Sequence, residues 1–178
     1  MHVDADHPRS NVRLAGRGRS PDGSVVTWTV AEGAKGRRWR EVVVDDGAIV
    51  HSLLLETFPD GGFAHLELST AAGLLTLHPE GDGTLHGNAV TAGGVRHVVR
   101  LPWPDGSVVL IEGSAVAAAA AAASMAARDG RVACVRIDSE LSLASTETTA
   151  AELGRGGGDG LPALGDAEVW PLELDETE

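Results

Sequence analysis

Short apolar runs, broken at near-regular intervals by glycine- and aspartate-rich turns, constrain this chain more than any other feature. That rhythm belongs to all-β sandwiches, barrels and rolls. Within Ser24–Ala31, Val26, Trp28 and Val30 alternate with Val25, Thr27 and Thr29. Arg38–Val44 leads through Asp45-Asp46-Gly47 into Ala48–Thr57, a hairpin signature because Asp-Gly tolerates the positive φ angles of a tight turn. Further runs follow at Phe63–Ser69, Leu74–His78, Thr84–Thr91, Val95–Leu101, Ser107–Glu112, Val132–Asp138 and Leu141–Thr148, with Val12–Arg17 ahead of them all. One helix interrupts the series. Ser114 is placed to cap it, and Ala115–Arg128 runs without a breaker to Asp129-Gly130.

About ten strands with one alanine-rich helix cannot stay a flat open sheet. The expectation is a mainly β fold: a curved antiparallel β-roll or barrel with that helix packed against it. Residues 1–10 read as a disordered N-terminal tail, 11–153 as the β-roll domain and 154–160 as a glycine-rich linker. Residues 161–178 read as an extension. It offers an edge strand through Val169–Leu172, since Pro171 restricts a strand to an edge.

Charge sets the partners. With 26 acidic and 14 basic residues the net charge is −12, which repels nucleic acid and anionic lipid surfaces. The N-terminus lacks the pattern of a secretory signal, and the alanine run is too short to span a bilayer. A single cysteine, Cys134, rules out an internal disulfide framework and suits a reducing compartment. A cytoplasmic protein without stable membrane insertion is the expectation.

Phosphate loops, zinc-protease motifs, CxxC pairs and nucleophile elbows are all missing from the sequence. No cofactor is expected, and the reading leans away from an enzyme. Arg37-Arg38-Trp39-Arg40-Glu41 is a basic knot in an acidic chain. Strand alternation puts Arg38 and Arg40 on one face, where they suit an anionic head group. Trp39 falls on the other face, so a cation–π contact to it calls for a partner from another strand. Trp39 and Trp103 are candidates for the apolar wall of a ligand pocket lined by Leu, Val and Ala.

The leading function is therefore non-catalytic binding of a lipid-like or amphipathic small molecule, through Arg38, Trp39, Arg40 and Trp103. A metal-assisted hydrolase or isomerase is the alternative. It uses His65, His78 and His86 as metal ligands or acid–base groups, with Glu67 or Glu80. A hairpin across Gly81-Asp82-Gly83 sets His78 near Thr84 and His86. A third possibility is a structural module whose exposed edge strand near the C-terminus pairs with a second copy to give a homodimer.

Between Val26 and Leu101 the chain resembles a bacterial glycolipid-binding family whose fold is a spiral β-roll. Val26-Thr-Trp28-Thr-Val30, then Trp39-Arg40 entering a hairpin, the alternating Leu66–Leu68 strand and Leu85-His86-Gly87 carry the likeness. It implies a β-roll and, less directly, glycolipid binding; no site residue is carried over from it.

Overall fold

Period-two alternation builds nearly the whole molecule. The structure, a computed structural model, describes residues 12–126, 130–153 and 161–171. The expected tail at 1–10 and the linker at 154–160 lie outside the described residues, as does the extension beyond Pro171.

Eight strands follow one another as an antiparallel meander: β1 (Arg13–Arg19), β2 (Val25–Gly33), β3 (Gly36–Asp45), β4 (Ala48–Thr57), β5 (Phe63–Thr70), β6 (Gly73–Pro79), β7 (Thr84–Thr91) and β8 (Gly94–Pro102). After them come β9 (Val108–Ile111), α1 (Ala115–Met125), β10 (Arg131–Ile137), β11 (Leu143–Thr149) and β12 (Gly165–Pro171). β12 returns to pair with β1, so β1 to β8 and β12 form one nine-stranded sheet with β12 and β8 at its edges. The sheet is thus not closed into a barrel. The expected C-terminal edge strand is β12.

The turns behave as their residues require. Asp46 and Gly47 both take positive φ, 45° and 78°, which is what a two-residue hairpin turn between β3 and β4 needs.

β9, β10 and β11 make a separate three-stranded sheet, in which β9 and β10 run parallel. The expectation of purely antiparallel pairing fails there for a plain reason. A helix joins those two strands, and a strand–helix–strand crossover returns the chain in the same direction.

Strand register lines up inward side chains in rows. Val30 lies opposite Trp39, Trp39 opposite Leu55, Leu55 opposite Leu66 and Leu66 opposite Leu77. The next inward row runs Trp28, Glu41, Leu53, Leu68, Leu75 and Ala89. Onto these rows the small sheet lays Val109, Ile111, Val135 and Ile137, and the helix lays Val116, Ala117 and Ala120, in one buried cluster. The opposite faces of β9 and β10 give Val108, Leu110 and Cys134, which pack with Ala121 and Met125 of α1. The helix thus contributes to both clusters, and its alanine side chains let the backbones come close.

Candidate functional site

The segment Arg37–Glu41 is divided by the sheet. Arg38 and Arg40 point outward, whereas Trp39 is buried at 1 % exposure. Arg38 is held by Glu56, its cross-strand partner, with both guanidinium contacts to Oε1 at 2.6 and 2.7 Å. Arg40 borders a shallow outer groove with Ser52, Leu54 and Glu67. Trp103 is buried elsewhere, edge-on to Phe63 at 5.4 Å between ring centroids. Of the four expected ligand residues, Arg38 and Trp39 border adjoining grooves, while Arg40 and Trp103 line neither of them.

The cation–π contact to Trp39 comes from its own strand, contrary to expectation. Arg37 stands two residues earlier, on the same side of β3, with its guanidinium carbon 5.9 Å from the indole centroid. Glu32 holds that guanidinium from β2, at 3.0 Å through both Nε and Nη2.

Arg37 and Trp39 border a cleft of about 220 Å³ at the end of the sheet. The β2–β3 turn, the β4–β5 turn and the middle of α1 meet there, the helix contributing Ala120 and Ala123. Phe58, on the rim, is 49 % exposed. Trp39 Nε1 is buried and finds no hydrogen-bond acceptor. A buried donor without a partner costs roughly 1–3 kcal/mol, so such groups are rare in folded chains. An enclosed cavity lined by Leu, Val and Ala inside the curved sheet does not occupy the center of the core, because Leu66, Leu68, Leu75, Leu77 and Leu85 pack there at 0 % exposure. The open cleft stands at the end instead.

The histidines lie in a different pattern. Register sets His78 directly opposite His86 across β6 and β7, as the hairpin reading expects. His65 begins the same side of β5, next to Leu66. Each imidazole nevertheless meets a side chain two residues away along the chain, and His86 Nε2 also accepts from Arg100 N of β8 at 3.3 Å. His65 Nε2 lies 3.2 Å from Glu67, His78 Nε2 3.1 Å from Glu80 and His86 Nε2 3.0 Å from the Thr84 hydroxyl. Among the described residues no group of three or more His, Cys, Asp or Glu is arranged to hold a metal ion.

A buried polar cluster has no counterpart in the sequence reading. Glu41 points inward from β3, and its carboxylate accepts from the Ser114 hydroxyl and from the backbone amides of Ala115 (3.0 Å) and Val116 (3.3 Å). His51 Nε2 lies 3.3 Å from the same carboxylate. Ser114 caps α1 as expected, its Oγ accepting from Ala117 N at 3.0 Å. The signal was present in the alternation: Glu41 shares inward parity with Trp39 and Val43. This arrangement buries both Ser114 and Glu41 and spends their oxygens on amides of the first turn of α1. It anchors a helix to a sheet.

No family model, curated protein or solved structure matches the chain.

Proposed function

We propose that this chain is a non-catalytic binding protein for a small amphipathic, lipid-like molecule, seated in the cleft between the β2–β3 turn, the β4–β5 turn and α1. The observation that carries the reading is the cleft itself, an open hollow of about 220 Å³ with the buried Trp39 in its wall and Phe58 at its rim. Phe58 exposed at the rim and Arg37 over the indole give that cleft an apolar surface beside a charged one. Ligand sites commonly combine an apolar wall with a few placed polar groups. The likeness to the glycolipid-binding family points the same way, and a lone cysteine agrees with action in the cytoplasm.

Native mass spectrometry of the protein as purified, beside the same sample denatured, tests this. A small-molecule adduct lost on unfolding is the expected result. A bare native mass, unchanged after incubation with decanoate or decanol, contradicts it.

A second reading is pairing between copies, supported by β8. That strand has no neighbour on one side among the described residues, and Val95 and Val99 stand exposed on it. Light scattering coupled to size exclusion decides: a dimer mass supports pairing, and a monomer at high concentration removes it.

A further inference from the structure

The cleft adjoins a wider groove of about 720 Å³, and the two share Glu32, Gly33, Gly36, Arg37, Thr57 and Phe58. Arg13, Lys35, Arg37 and Arg38 all line that groove. They are four of the chain's 14 Lys and Arg residues, gathered in one place on a protein of net charge −12. Lys35 is also its only lysine.

Carboxylates compensate part of this charge. Arg37 pairs with Glu32 and Arg38 with Glu56. The side chains of Arg13 and Lys35 have no hydrogen-bond or ion-pair partner among the described residues. At physiological salt, charges beyond about 8 Å are largely screened, so these local cations outweigh the distant acidic surface for a bound group. The groove therefore holds a surplus of cationic donors among the described residues, the side chains of Arg13 and Lys35. A ligand that matches it is rich in acceptors at one end and apolar at the other.

We propose that the occupant is a single-chain amphiphile with an oxyanion head, a carboxylate or a phosphate ester. The head lies against Arg13 and Lys35, and the chain crosses Phe58 and Trp39 toward Ala120 and Ala123. This rests on the reading of the cleft as a binding site and adds the class of ligand and its direction.

Calorimetric titration with decanoate, decyl phosphate and 1-decanol, each kept below micelle formation, separates the two claims. The same titrations are run on Lys35→Gln and on the Arg13→Gln/Lys35→Gln double variant. At low salt at least one anion is expected to bind about tenfold more tightly than decanol, an effect within the range of charge-assisted hydrogen bonds. The double variant is expected to lose that preference while keeping its decanol affinity. Lys35→Gln alone, at an exposed turn position, is expected to lose part of it and guards against a folding defect at Arg13. The two anions tell carboxylate from phosphate. Equal binding of anions and decanol by the wild type, or a preference unchanged in the double variant, overturns the anionic head and leaves the cleft reading standing. Binding of none of the three overturns both.

Discussion

The Ser114 hydroxyl donates to the Glu41 carboxylate, joining residues 73 positions apart and fastening the start of α1 to the inner face of β3. Glu41 is 1 % exposed, and an isolated carboxylate would not tolerate that depth. Four donor groups surround it: one hydroxyl, two helix amides and the His51 imidazole. The amides belong to the helix N-terminus, whose partial positive charge favours an anion. Placement of α1 matters for the cleft, because Ala120 and Ala123 form one of its walls.

Replacing that carboxylate should therefore be costly. Glu41→Ala leaves helix amides and His51 without their acceptor, and a loss of about 3 kcal/mol is expected from the cost of stranding buried polar partners. Ser114→Ala should cost about 1 kcal/mol, the usual worth of an N-cap, or more because it also removes a donor to Glu41. Urea unfolding measures both. A Glu41→Ala midpoint close to wild type would show that the cluster contributes little.

Surface charge offers the contrast. Arg38 and Glu56 make a well-formed ion pair, but the two side chains are 58 % and 30 % exposed. Glu56→Gln is expected to change stability by less than about 1 kcal/mol, with the effect shrinking further in salt. A change several-fold larger in the same urea experiment would mean that the outer face bears more of the fold than its exposure suggests.

Trp28 depends on a missing side chain. A Cβ at Gly16 of β1 would lie 2.3 Å from ring carbons of Trp28, so alanine there forces the indole or the strand to shift. Gly16→Ala should cost about 2 kcal/mol, in line with overpacking of a core. It should also alter the near-ultraviolet circular dichroism of the tryptophans. An unchanged spectrum and midpoint would contradict this contact.

Burial raises the Cys134 thiol above its ordinary value of 9.0, and the Arg136 cation opposes that only in part. In the native protein at pH 8 the thiol should stay protonated and react slowly with a disulfide reagent, whereas urea should release it for fast labelling. The pH effect on stability follows in sign. The unfolded thiol ionises first, so this contribution is complete below pH 9 and is lost as pH rises toward and through the raised native value. Rapid native labelling at pH 8 would count against this environment.

Much of the fold was legible because side-chain alternation and turn chemistry are local. β4 and β7 coincide with the runs Ala48–Thr57 and Thr84–Thr91, and the opposition of His78 and His86 follows from the short turn between their strands. The parallel β9–β10 pair is not legible in the same way, because strand direction across a helical crossover is not encoded in local alternation. The site was less legible still. Arg38 and Arg40 are outward charges on β3, whereas Arg37 is the residue that lies over Trp39. The role of Glu41 is not local to the basic knot, because burial of its carboxylate depends on a helix N-terminus that arrives from far along the chain. Phe58 and Lys35 belong to turns, and which turns adjoin one another is a tertiary property.

The most direct test of the cleft uses the indole N–H signals of the four tryptophans in a ¹H–¹⁵N NMR spectrum, assigned by single Trp→Phe variants. Trp28 serves as an internal control, because its N–H is also buried without an acceptor but its residue does not line the cleft. Titration with decanoate should move the Trp39 signal and leave that of Trp28 in place. A titration that moves neither, or moves Trp28 while Trp39 stays fixed, would contradict a ligand seated against Trp39.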